Sequence, residues 1–221
     1  MRCKIVDLIY FPDFERRFLG IQLQNEFAYL GGSLLDFLSE EKACVFDCHR
    51  INFVCKETSE EVSTRLEDCM GIVQMDILFN PAYFEWSKEE KILYLKALLR
   101  ESLCTLCSRK GWNWAPVKCA LDKLDGDVVE RTYFAKITGR HESMTAKIRC
   151  VQSFEAVNLY MVIKERRTLI SDQWIASGKP NVFDHFQLLG RIDWIPDKGF
   201  CLLDMKGNIV GSVMPRKGTN V

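Results

Sequence analysis

An α+β fold, with a predominantly antiparallel sheet in the C-terminal half packed with one long and several short helices, is predicted by three features of this 221-residue sequence. A long helical pattern ends near Lys110; from Val128 onward the hydrophobic pattern alternates; and Gly-containing turn sequences separate the last apolar runs. Helices first and strands afterwards do not give the regular strand-helix alternation of a parallel α/β fold.

Residues 3–10 carry a short apolar run expected to form a buried strand, and Pro12-Asp13 breaks it before a helical turn through Phe14 to Leu19. Gly31-Gly32 interrupts the next stretch, with Ser33 placed to cap a short helix from Leu34 to Ser39. Residues 43–55 alternate as a strand, but Cys44, Phe46 and Cys48 share one parity and Ile51, Phe53 and Cys55 the other. A bulge or turn near His49-Arg50 would reconcile the halves. The acidic stretch 58–69 reads as helix, and Gly71 to Phe79 as a strand stopped by Asn80-Pro81.

The helix from about Lys88 to Lys110 has every local signal in agreement. Ser87 and Glu90 form a capping-box pattern, Glu89 and Glu90 suit the positive end of the helix dipole, Arg109 and Lys110 suit the negative end, and Gly111 supplies the left-handed stop. Ile92, Leu95, Leu99, Leu103 and Leu106 mark one buried face. A second helix is expected from Pro116 to Leu124. Strands follow at 128–138, 145–153, 157–164 and 168–176, with a hairpin over 200–213. The chain reads as one α+β domain, residues 1–221, with 125–127 its only plausible internal boundary.

Thirty Lys+Arg balance thirty Asp+Glu, so the whole chain has no electrostatic reason to seek bulk nucleic acid or an anionic membrane. The charge is unevenly divided. Residues 1–80 hold eight Lys+Arg and fourteen Asp+Glu, a net charge of −6, which leaves +6 for residues 81–221. Glu57, Glu60, Glu61, Glu67 and Asp68 crowd into twelve positions with Arg65 as the only offset, either as a solvated face or as an acidic patch for a basic partner. Ten cysteines are spread along the chain, most in apolar runs. The first ten residues lack the apolar region and cleavage site of a signal peptide, so reduced thiols and a cytoplasmic setting are expected. No apolar stretch approaches the roughly 20 residues that span a bilayer.

Several constellations could carry chemistry. Cys104 and Cys107 have CxxC spacing, but they fall in the last turns of the long helix, away from the N-terminal position that activates a redox thiol. Cys48 and His49, adjacent on an expected strand, would point to opposite faces. A Cys–His pair built from distant segments would have His49, His141 and His185 to draw on. Asp197, Asp204 and Lys206 resemble the carboxylate-lysine set of metal-dependent nucleases, although ordinary turn chemistry explains all three. Arg131, Lys136, Arg140, Lys147, Arg149, Lys164, Arg166 and Arg167, interleaved with Tyr133, Phe134 and Tyr160, form either the solvated face of a sheet or a nucleic-acid-binding module. Gly111 to Pro116 places Trp112 and Trp114 where they could close a core or anchor a partner. The sequence has no GxGxxG, Walker A, GxSxG or HExxH pattern, and no catalytic residue, metal ligand or cofactor site is assigned.

The stretch from Trp86 through the capped helix to Lys110-Gly111-Trp112 resembles the capped helix and following loop of small bacterial immunity proteins, which protect cells from polymorphic or contact-dependent toxins. The resemblance implies a cytoplasmic, non-enzymatic inhibitor that binds a cognate toxin, and it transfers no binding residue. A concentrated acidic segment is compatible with covering the basic cleft of a nuclease-type toxin, which makes Glu57, Glu60, Glu61, Glu67 and Asp68 the expected partner-binding residues.

Overall fold

The computed structural model describes residues 5–10, 16–41, 45–125, 130–180 and 187–215. The chain divides into two units, residues 1–129 and 130–221.

In the N-terminal unit, β1 (Ile5–Tyr10), β2 (Arg50–Lys56), β3 (Leu66–Cys69) and β4 (Ile72–Leu78) form one sheet in the order β1-β2-β4-β3. β1, β2 and β4 are parallel, and β3 is antiparallel to β4. Central β2 buries Ile51, Asn52, Phe53, Val54 and Cys55 consecutively, as a strand covered on both faces must. The parity conflict across 43–55 has a simple cause: the strand begins only at Arg50, and residues 45–49 lie outside it. The amides of His49 and Arg50 both donate to Gly71 O, at 2.7 and 3.2 Å.

Helix α1 (Arg17–Glu40) joins β1 to β2 and corrects the expected short helix starting after Ser33. Ser33 is buried inside the helix and caps nothing. Gly31 is there for a tertiary reason. A Cβ at Gly31 would lie 2.4 Å from Val6 O, so its absence lets α1 press against the backbone of β1. The expected helix at 58–69 is likewise corrected: Leu66–Cys69 is a strand. Met70 and Gly71, at φ 53° and 77°, supply the two positive-φ positions of a tight hairpin turn that folds this segment back onto β4.

Helix α2 (Lys88–Lys110) matches its sequence signals end to end. Ser87 Oγ accepts the Glu90 amide, the Glu90 carboxylate accepts the Ser87 amide, and Gly111 closes the helix at φ 66°. A 3₁₀ turn over Pro81–Glu85, with Asn80 accepting the Ala82 amide, leads into it. Helix α3 (Trp114–Asp125) packs against both α1 and α2. Trp112 lies against Phe46 with ring centroids 5.1 Å apart, and its indole N–H donates to Asp47 at 3.0 Å.

The C-terminal unit is built from strands. β5 (Glu130–His141), β6 (Met144–Ser153), β7 (Val157–Glu165) and β8 (Thr168–Gly178) form an antiparallel meander. β9 (Arg191–Ile195), β10 (Gly199–Leu203) and β11 (Ile209–Val213) form a second antiparallel sheet, in which β9 is a strand that sequence patterning did not single out. Ala146, Ile148, Leu159, Met161, Phe200 and Leu202 belong to one buried cluster drawn from both sheets. β5 contacts β9 and β8 contacts β11. Each seam has a glycine: a Cβ at Gly139 would lie 2.4 Å from Ile192 Cγ2, and one at Gly211 would lie 2.7 Å from Ile175 Cβ. Among the described residues, no helix is long and apolar enough to cross a membrane.

Candidate functional site

A groove of about 850 Å³ in the N-terminal unit runs along the C-terminal half of β4, the 62–64 segment and one face of α2. Buried Met75, Ile77 and Phe79 contribute apolar lining. The acidic residues Glu57, Asp76 and Glu101 belong to the same lining, with Arg109 as the basic residue among them. Arg109 donates to the Thr64 carbonyl at 2.6 Å, and Asp76 accepts the Ser63 amide at 3.1 Å, so the middle of the 62–65 segment is tied to both α2 and β4.

The sheet leaves an edge open along this groove. The Phe79 amide donates to Lys56 O at 2.8 Å, which directs the odd-numbered peptide groups of β4 toward β2 and the even-numbered ones toward the opposite edge. β3 pairs with β4 only from Ile72 to Met75. The peptide groups of Asp76 and Leu78 therefore face an edge with no strand beside it among the described residues. An unpaired strand edge beside an apolar trough is the geometry by which an extended peptide adds a strand to a sheet.

The five acidic residues singled out in the sequence divide into two kinds. Glu57 accepts hydrogen bonds from Tyr10 Oη and from Arg16, the latter at 2.7 Å, so it braces β1 to the end of β2. Burial and the neighbouring Glu57 carboxylate both push the Tyr10 phenol upward, keeping it a donor. Asp68 pairs with Lys110 at 2.5 Å, tying β3 to the end of α2. Glu60 and Glu61 stand exposed in the β2–β3 connection. Glu67 projects from β3 and accepts the Gln74 side-chain amide at 3.3 Å.

The remaining sequence candidates occupy structural positions. Asp204 accepts the amides of Lys206 and Asn208, each at 2.8 Å, and the Asn208 side chain at 2.9 Å, which holds its carboxyl below the ordinary range. Asp197, at φ 66°, sits in the turn between β9 and β10. Cys104 is exposed and Cys107 buried on α2, and burial pushes the Cys107 thiol up to about 11. Cys48 is buried and His49 exposed. His141 stacks on Trp194 with ring centroids 3.9 Å apart, while His185 lies outside the described residues. Among the described residues, no group of three or more His, Cys, Asp and Glu gathers as a metal site.

The basic strands separate by face. Arg131 lies over the Tyr133 ring at 5.0 Å, on the parity of Ala135 and Ile137, which pack against the core. Lys136, Arg140, Lys147 and Lys164 are exposed at positions of the opposite, solvent-facing parity.

Sequence reasoning missed the groove carboxylates Asp76 and Glu101, whose roles depend on β4 and α2 lying side by side. It also missed Trp174, exposed on β8. Alternation around Trp174 was the one available signal, but its neighbours become visible only once the strand register is known. Comparisons with protein-family models, with curated proteins and with solved structures returned no match to the chain.

Proposed function

We propose that the chain is a non-enzymatic binding protein that receives a basic segment of a protein partner on the acidic side of its N-terminal unit. The observation that carries this reading is the open β4 edge in a groove lined by the acidic residues Asp76 and Glu101. An incoming extended segment would pair with the Asp76 and Leu78 peptide groups, set an apolar side chain against Met75 and Ile77, and bring Lys or Arg toward Asp76 and Glu101. The wider field supports the same sign of partner: residues 1–129 hold sixteen Lys+Arg and twenty-one Asp+Glu, a net charge of −5.

The partner class follows from the resemblance of the Trp86–Trp112 stretch to immunity proteins: a cognate bacterial toxin whose basic cleft the chain covers. Glu60, Glu61 and Glu67 are the residues to reverse, because Glu57 and Asp68 also hold the fold together. The test is a pull-down from the native host, in which a toxin is the expected capture, followed by surface plasmon resonance against the captured domain. A Glu60→Lys/Glu61→Lys/Glu67→Lys variant is expected to lose about tenfold in association rate at low salt and to lose most of its salt dependence. An unchanged association rate would remove the acidic segment from the interface.

A further inference from the structure

A second surface lies on the C-terminal unit, where strand register assembles a row of flat side chains. Phe134 pairs with Arg149, Arg149 with Tyr160, and Tyr160 with Trp174, so the four lie side by side across β5, β6, β7 and β8. The alternate positions on β6 and β7, including Ile148, Cys150, Leu159 and Met161, fill the core, which directs the row outward. Phe134 is 56% exposed and Trp174 59% exposed, unusual for rings with no task in the core.

The row is held in place. The Arg149 guanidinium lies over the Tyr160 ring, 4.2 Å from its centroid, and Asp172 fixes it at 2.9 Å. The Trp174 indole N–H donates to Ser177 Oγ at 3.1 Å. Lys136, Arg140, Lys147 and Lys164 stand exposed on the same face, opposed there by Asp172 and, at one end of β5, Glu130. The unit as a whole has fourteen Lys+Arg against nine Asp+Glu, a net charge of +5.

We infer that this face binds single-stranded nucleic acid, with bases stacking on Phe134, the Arg149–Tyr160 pair and Trp174 while the surrounding lysines and Arg140 meet the phosphates. Cations alone would suit any polyanion. Two exposed rings, Phe134 on β5 and Trp174 on β8, flanking the half-buried Arg149–Tyr160 pair add a requirement for free base faces, which a duplex conceals in its stack and a single strand offers. The site lies wholly in the C-terminal unit and does not depend on the N-terminal groove.

Fluorescence anisotropy of the full chain with a labelled oligothymidylate, and with a duplex of the same length, tests the assignment. The single strand is expected to bind more tightly than the duplex, with affinity falling steeply as salt rises. Trp174→Ala and Phe134→Ala should each weaken single-strand binding roughly tenfold while leaving the salt slope unchanged. Lys136→Glu/Lys147→Glu should flatten that slope. Circular dichroism of each variant confirms that these exposed substitutions leave the fold intact. Absence of binding at low salt would overturn the inference, as would equal affinity for the duplex together with indifference to Trp174→Ala.

Discussion

The two units are stabilised in different ways. In the N-terminal unit, rings fill space: Phe79 lies within 6 Å, centroid to centroid, of Tyr10, Tyr83, Phe84 and Tyr94. Polar groups thread the same region, where Tyr83 donates to Glu26 at 2.6 Å and Lys91 stands 3.5 Å from Glu26. In the C-terminal unit the strands contribute a mostly aliphatic core, and close approach at the seams depends on missing side chains at Gly139 and Gly211. Outside the Gly31 contact with β1, the first arrangement is sensitive to lost volume, and the seams of the second to added volume.

The sharpest test of that contrast is Phe79→Ala. Removing a fully buried ring from the centre of an aromatic cluster should cost about 4 kcal/mol, measured by urea unfolding, with hydrogen exchange rising in β2, β4 and α2. Uniform acceleration across both units would show that they share one cooperative core. Gly139→Val adds volume instead. Its Cβ would start 2.4 Å from Ile192 Cγ2 and 3.0 Å from Ile192 O, so a loss of about 3 kcal/mol is expected, with exchange rising in β5 and β9. A near-neutral result would mean that the seam can open cheaply.

The smallest effect concerns pH. Because Asp204 titrates below its ordinary value of 3.8 in the folded chain, protons bind more readily to the unfolded one. Its contribution is complete above the ordinary value and fades as pH falls through the lower native value. Asp204→Ala should therefore be less stable than the parent chain at neutral pH, with the difference closing under acid in parallel thermal melts. A gap that stayed constant would assign the effect to the turn backbone and not to the carboxylate.

Legibility from sequence followed the range of the interactions. The ends of α2 were readable because Ser87, Glu90 and Gly111 act within one turn of the helix they bound. The alternation of β5 to β8 was readable because one face of the meander is buried. Gly31-Gly32 misled because glycine is locally a helix breaker, whereas here it answers to Val6, twenty-five positions earlier. The acidic segment misled for a related reason: Leu66 to Cys69 become strand through pairing with β4 and the Met70-Gly71 turn, which outweigh local preference. The groove required β4 and α2 together, and the ring row required a register across four strands. Neither is a property of any short window.

The glycine seams of the C-terminal unit also bear on behaviour at high concentration. Strands whose margins are already met by a neighbouring sheet give a stray chain little to extend. Clumping during refolding should therefore begin from the other half of the molecule, where the last residues of β4 stand uncovered, and a soluble basic peptide lodged there should clear the turbidity.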